Sequence, residues 1–349
     1  TESGVFEWSG KTIGVLICED IWADTLPERY TIDPVVQLVG KGLEVVLHLS
    51  SSPFARNKLA LRRAQIQRCA KVLQVPVVHV NQVGGYTDIL FDGQSMVVAP
   101  NGDTVSQCPA FCEASMAVDV LGLNGANTTS ETLDVDTDVL VLNALCYGLR
   151  EYVSKTGLNG VVVGVSGGID SAVVAGIAVM ALGAQRVTLV SLPTRYNSEE
   201  TQDDAKALAK NLGCGLQVIK IEAMRTMMQD TLVASQGGDV TEITKQNIQA
   251  RLRGVVLMAI ANDQQALLCT TGNKSELAMG YATLYGDMCG GLNFIGDLWK
   301  HEVYAMAKCL NRYGDWIPES IIHRAPTAEL AEGQQDADSL PPYSTLDAI

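Results

Sequence analysis

The sequence lacks the clustered Lys and Arg that grip a nucleic-acid backbone. Its 349 residues hold 25 Lys and Arg against 39 Asp and Glu, a formal net charge of -14, with no basic run. That balance argues against nonspecific nucleic-acid binding, yet it leaves room for a nucleotide in one locally positive site. Long apolar runs are missing too. The longest, Ala172–Ala184, is broken only by glycines and is too short to span a bilayer. The first residues do not read as a basic stretch followed by an apolar one. The nine cysteines are scattered; only Cys108 and Cys112 are close, and no His or second Cys pair follows at zinc spacing. Reduced thiols, mostly buried as small hydrophobes, are therefore expected, in a cytoplasmic protein that crosses no membrane. No initiator Met opens the chain. Thr1 precedes a predicted strand and Ile349 falls where a helix reads as starting, so a piece cut from a longer protein is expected. There is no internal repeat and no low-complexity tract.

What is present is a globular composition, 47% hydrophobic and 18% charged, long enough for two domains at roughly 100–200 residues each. Apolar runs at 12–17, 43–49 and 75–80 read as strands, with helical spacing over 55–74. Strands around 94–99 and 104–105 flank Asn101-Gly102, a strong hairpin signal. Residues 122–138 are polar and aperiodic, which makes them the expected linker between domains at 1–121 and 139–349. After a helix at 139–155, the second region alternates strictly. Strands at 161–165, 187–192, 216–221 and 266–270 are interleaved with helices at 172–182, 203–212 and 244–261. Such alternation predicts parallel βαβ units in a doubly wound sheet.

Between the first strand and helix of that region lies Ser166-Gly167-Gly168-Ile169-Asp170-Ser171. Adjacent glycines let the backbone turn with φ > 0 and expose N–H groups, and the following helix points its positive end at the same spot. Two serine hydroxyls complete an anion cradle. There is no Lys, so this is not the GxxxxGK[ST] loop. Asp170 would repel a phosphate unless a cation such as Mg²⁺ stood between them. Further along, the strand at 266–270 runs into Thr271-Gly272-Asn273-Lys274-Ser275-Glu276, again strand, small-residue loop and helix. On physics alone Glu276 is equally a second metal carboxylate or a residue balancing the helix dipole. Arg251 and Arg253 on a helix, and Lys300 likewise, read on physics alone more often as a solvated face than as ligands.

SGGIDSA at 166–172 resembles the pyrophosphate loop of the ATP-pyrophosphatase superfamily. TTGNKSELAMGYATLYGDM at 270–288 is similar to the matching stretch of the glutamine-dependent NAD synthetases. So, in order, are Asn247–Gly254, Asp297–Lys300, Ala325–Leu330 and Asp336–Tyr343. The resemblance implies that Asp170 and Glu276 hold Mg²⁺, and that Ser166, Gly167, Gly168, Asp170, Ser171 and Thr271 bind ATP. It further implies that Arg251, Glu276, Asp287, Lys300 and Thr327 bind deamido-NAD, with Asp170, Glu276 and Lys300 catalytic. The implied reaction is amidation of deamido-NAD to NAD through an acyl-adenylate, with ATP and Mg²⁺ as cofactors.

Cys18 ends the predicted strand 12–17 in Ile17-Cys18-Glu19-Asp20-Ile21-Trp22, where a nucleophile is exposed on a sharp turn. ICEDIW resembles the nucleophile turn of the nitrilase superfamily, and His48–Phe54, Phe91–Ser95 and Pro100–Gly102 match its later strands. The fold implied is a partial nitrilase-like α/β/β/α sandwich followed by a doubly wound, parallel-sheet adenine-nucleotide-binding domain. The resemblance also implies a homo-oligomer with an ammonia path between domains. A nitrilase triad needs a Glu and a Lys well upstream of the Cys. Here only Glu2, Glu7 and Lys11 precede it, too close in sequence to fit. The expectation is a Cys18 without its activating partners, a first domain with exposed apolar surface, and a chain that uses free ammonia where the intact protein uses glutamine. The rivals are another pyrophosphate-loop amidotransferase and an inactive fragment.

Overall fold

Two sets of β-branched runs organise two separate sheets. A computed structural model of the chain describes residues 4–25, 31–123, 136–327, 329–331, 333–334, 336 and 340–347. By its internal contacts the chain divides into units Thr1–Ala144 and Leu145–Ile349. The stretch expected to be the linker lies largely outside the described residues.

In the first unit the elements are β1 (Gly4–Trp8), β2 (Lys11–Ile17), α1 (Pro34–Gln37), β3 (Val45–Ser50), α2 (Lys58–Leu73), β4 (Val77–Asn81), β5 (Val83–Tyr86), β6 (Ile89–Asp92), β7 (Met96–Val98) and β8 (Thr104–Gln107). Six strands form one sheet in the order β1-β2-β3-β4-β7-β8, parallel from β2 to β4 and antiparallel elsewhere, and β5 and β6 pair as a separate hairpin. Strand side chains alternate, so the register gives each face its own set. Leu16, Val46, Val77 and Met96 face the helices and close a core with Ile66 and Cys69 of α2. Arg62 of α2 reaches the same core and is held bidentately by Asp92, at 3.0 and 2.8 Å, with almost no exposure on either side chain. On the opposite face Ile13, Val45 and Val97 are buried. The in-register row Ile17, Leu49 and Val80 stands 58%, 48% and 48% exposed. That row is the apolar surface expected on this unit.

Helix α3 (Thr137–Thr156) leads to β9 (Val161–Gly164), α4 (Ile169–Leu182), β10 (Val187–Ser191), α5 (Glu199–Leu212), β11 (Leu216–Val218), α6 (Glu222–Gln236), α7 (Glu242–Gln264), β12 (Leu267–Cys269), α8 (Lys274–Met279), α9 (Lys300–Leu310), α10 (Glu319–His323) and α11 (Tyr343–Leu346). The four strands are all parallel in the order β11-β10-β9-β12. Strands β9, β10 and β12 are buried and read as mostly apolar runs, as strands covered on both faces do, whereas the edge strand β11 exposes Gln217 and Val218. Helix ends follow local chemistry. Ser198 caps α5 through its hydroxyl and Gly213 closes it in the left-handed region, and Thr241 caps α7. The chain reverses its winding between β9 and β12, the switch point where a ligand crevice opens beyond the carboxyl ends of the strands. Among the described residues no helix is long and apolar enough to cross a membrane.

Candidate functional site

The loops leaving β9 and β12 line one cleft of about 260 Å³. After β9, Ser166–Ser171 bends back on itself. Ser171 Oγ donates to the Gly168 carbonyl at 3.0 Å, and the Gly168 N–H donates to Ser166 Oγ at 3.2 Å. Gly167 has φ 86°, and a Cβ there would overlap the Thr201 carbonyl oxygen, so only glycine fits. Gly168 is the N-cap of α4, which turns that helix's unpaired N–H groups towards the cleft.

After β12, Asn273 and Glu276 form a reciprocal capping box at the start of α8. The Asn273 side chain also donates to Asp170 Oδ1 at 2.8 Å, linking the two loops. Between the two carboxylates lies the Lys300 ammonium, 2.6 Å from Asp170 Oδ2 and 3.2 Å from Glu276 Oε1, on a side chain only 3% exposed. Burial alone would lower the Lys300 pKa, but Asp170 and Glu276 outweigh it and hold the group well above its ordinary value. Burial, and then the Asp170 charge, push the Glu276 carboxyl up, against the pull of Lys300. Lys300 also lies 5.1 Å from the centre of the Tyr343 ring, whose hydroxyl donates to Asp336 at 2.9 Å.

Of the residues singled out from sequence, Ser166, Gly167, Gly168, Asp170, Ser171, Thr271, Glu276, Asp287, Lys300 and Thr327 all line this cleft. The Asp287 carboxylate accepts the Thr283 N–H at 2.7 Å, and burial raises its pKa. The Thr327 hydroxyl donates to the Gln334 carbonyl and accepts the Glu329 N–H, bracing its own loop. Arg251 is not brought in. It is exposed and donates to the Leu284 carbonyl at 3.1 Å. Its neighbour Arg253 lines the cleft instead, bonded to the Leu192 carbonyl and Asn197, with burial pushing its pKa down to about 10. Arg324, which the sequence did not single out, also lines the cleft. It donates to the Gly167 carbonyl at 3.3 Å and pairs with Asp204, bracing the glycine turn from below. A second recess of about 240 Å³ shares Thr270, Gly272, Glu276, Tyr281 and Asp287 with the cleft. It contains Thr270 and Asn293, whose side-chain oxygens are buried without a partner.

In the first unit Cys18 follows β2 with φ 51° and opens a 3-10 turn, Cys18–Trp22. It is exposed. The turn is tied by the Ile17 N–H, which donates to Asp20 at 2.8 Å. Lys11 stands at the far end of β2, roughly 20 Å away at strand rise, and is paired with Glu44 at 2.6 Å. Glu7 on β1 pairs in register with Thr12, also far from Cys18, and Glu2 lies outside the described residues.

This chain resembles known proteins along its whole length. Residues 1–121 match the carbon-nitrogen hydrolase family. The glutamine-dependent NAD(+) synthetase of Synechocystis sp. is 42% identical across 100% of this chain and 63% of that protein. The one from Rhodobacter capsulatus is 42% identical across 97% of this chain and 62% of its own length. A structure of glutamine-dependent NAD+ synthetase from Acinetobacter baumannii, in complex with ADP, is 36% identical. It superposes with a TM-score of 0.84, covering all of this chain and 62% of that one. The chain thus spans about 63% of the length of the curated relatives it matches. Residues 141–349, which carry the whole cleft, match the family described as NAD synthase, and the chain belongs to that family.

Proposed function

We propose that the second unit is an NAD synthetase, which uses ATP to convert deamido-NAD to NAD through an acyl-adenylate. The observation that carries the reading is the convergence of Lys300, Asp170 and Glu276 beside the Ser166–Ser171 cradle in one cleft. A carboxylate is a poor electrophile, so its oxygen must first be activated. In this reading a nicotinate oxygen bonds to the α-phosphorus of ATP and pyrophosphate leaves. The loop N–H groups, the two serines and the amino end of α4 receive the pyrophosphate charge, and Lys300 neutralises charge at the reacting phosphate. Ammonia then attacks the acyl carbon and AMP departs with the carboxylate oxygen. The residues position reactants and meet developing charge more than they exchange protons.

A magnesium ion fits the donor set. Asp170 and Glu276 are hard oxygen ligands and a triphosphate would bring further oxygens; Lys300, which bridges the two carboxylates, would have to yield part of that contact to the ion. When bound, Mg²⁺ would neutralise phosphate charge and orient it. In the adjoining recess Thr270 Oγ1 and Asn293 Oδ1 are free to accept the N–H groups of ammonia. The match of residues 1–121 to the carbon-nitrogen hydrolase family, with Cys18 exposed on its turn, supports a glutamine-hydrolysing role for Cys18 in the intact protein. Lys11 and Glu7 lie far from its thiol, which supports free ammonia as the donor for this chain. A cytoplasmic location and a homo-oligomeric assembly complete the proposal. The test is NAD formation from deamido-NAD, ATP and Mg²⁺ with ammonia or with glutamine. Product with ammonia only is expected; product from neither rejects the synthetase reading, and product from both rejects the loss of the glutaminase.

A further inference from the structure

Beneath the Cys18 turn lie two histidines, and their hydrogen bonds leave little freedom in how they are protonated. His48 of β3 and His79 of β4 are register partners on the helix-covered face of the sheet, each 1% exposed. Their rings stack, with centroids 4.8 Å apart. His48 Nδ1 and His79 Nδ1 are 2.8 Å apart, and His48 Nε2 is 3.1 Å from the Cys18 carbonyl oxygen. A carbonyl oxygen only accepts, so His48 Nε2 carries a proton. With a neutral ring, His48 Nδ1 is then an acceptor and His79 Nδ1 must be its donor. His79 Nε2 is left bare, and it is buried without a partner. The opposite direction would need a doubly protonated His48 and would strand a buried N–H on His79, costing both a buried charge and an unmade bond.

The chain of bonds therefore runs one way, from His79 through His48 to the carbonyl of Cys18. That carbonyl belongs to a residue at φ 51°, a region a side-chain-bearing residue occupies only when its surroundings hold it there. We propose that His48, oriented by His79, is a positioning residue that fixes the left-handed turn presenting the Cys18 thiol. The proposal rests on the reading of Cys18 as a glutaminase nucleophile for its purpose, but not for its geometry. The charged groups bearing on the pair are Asp20 from the turn, which favours a charged His48, and Arg62 from α2, which opposes it and is itself bound to Asp92. Burial is the largest influence on both rings and keeps them neutral.

Nitrogen NMR of the four histidines, assigned with single variants, reads the tautomers directly. His48 as the Nε2–H form and His79 as the Nδ1–H form are expected, unchanged from pH 8 to 6. A His48 Nδ1–H tautomer, or a pair that becomes charged by pH 6, overturns the proposal. The second measurement is iodoacetamide labelling of Cys18 by peptide mapping, with exposed Cys112 as internal reference. His48→Leu is expected to change the Cys18 to Cys112 rate ratio by about fivefold or more, the shift that one lost hydrogen bond produces. His48→Gln, which keeps a donor at the same reach, is expected to stay within about twofold, since its bond to the carbonyl survives. If Gln behaves like Leu, or a folded Leu variant behaves like wild type, the turn does not depend on the donor. His79→Leu, which leaves the donor of His48 in place but unoriented, serves if His48→Leu does not fold, and an unchanged ratio there removes His79 from the proposal. Iodoacetamide reads the geometry of the turn alone, and NAD formed from glutamine, measured separately, reads its glutaminase purpose, so the two can fail independently.

Discussion

Replacing Lys300 with methionine tests the centre of the cleft, because it removes one charge while keeping most of the side-chain volume. The ammonium lies within 2.6 Å of Asp170 and 3.2 Å of Glu276 and is almost wholly buried. Removing one member of a buried ion cluster costs about 3–5 kcal/mol. For a unit of this size each kcal/mol lowers Tm by about 2–4 °C, so a fall of about 6–20 °C is expected near neutral pH. The loss has a predictable pH dependence. Burial and Asp170 already push Glu276 up, and Lys300 is the main group pulling it back. Without Lys300 the folded Glu276 pKa rises further above its unfolded value of about 4.3. The folded state then holds a proton that the unfolded state has released, so stability falls as pH rises from about 4.3 until the folded pKa is passed. Glu276 is already raised to about 7 in the wild type, so thermal melts of Lys300→Met from pH 5 to 8 are expected to show a deficit against wild type that widens chiefly from about pH 7 upward. Adding Glu276→Gln, which removes the stranded charge, is expected to recover part of it. A melt within about 1 °C of wild type at pH 8, where a lost buried partner should cost most, would refute the reasoning. So would a large deficit that is flat with pH.

Gly167→Ala is expected to lower ATP affinity by at least about tenfold, because φ 86° and the overlap with Thr201 force the cradle to move; calorimetric titration with ATP checks it. Asp170→Asn keeps the amide contact to Asn273 possible but loses the charge facing Lys300, so Mg²⁺-dependent turnover is expected to vanish while the circular dichroism spectrum is kept. Near-normal turnover would remove Asp170 from the metal role. Cys18→Ala is expected to leave ammonia-driven NAD synthesis unchanged, and a large loss in steady-state rate would mean that Cys18 does more than release ammonia.

The sequence showed the second sheet and its cradle clearly, because buried parallel strands read as unbroken apolar runs and the tight loop between them requires glycine. It hid β1, whose residues are exposed throughout, and the β5–β6 hairpin, whose first strand is Val-Gly-Gly-Tyr. Neither shows the alternation by which a half-buried strand is recognised. Helix α6 was also missed; it buries only Arg225, so no apolar stripe marks it. In the site, Asn273 was legible only as part of a small-residue loop before a helix, and its bond to Asp170 joins residues 103 apart and has no local signature. Arg251 and Arg253 lie two apart on α7 and so point to opposite sides of it. Only the packing of α7 against the sheet shows that Arg253 faces the cleft. Arg324 stands one residue before the Ala325-Pro326-Thr327 stretch that the resemblance covers, and its bond to Gly167 is what marks it. The paired histidines were invisible for a related reason: 31 residues apart, they meet only through strand register.

The measurement that tests the central claim most directly is the fate of a carboxylate oxygen. Deamido-NAD labelled with ¹⁸O in its nicotinate carboxylate is incubated with this chain, ATP, Mg²⁺ and ammonia, and the phosphorus products are examined by mass spectrometry. Activation as an acyl-adenylate predicts one labelled oxygen in AMP, unlabelled pyrophosphate, and AMP equal in amount to NAD. Label in inorganic phosphate, with ADP in place of AMP, would mean that the γ-phosphoryl group is the activator and would contradict the role assigned to the cleft.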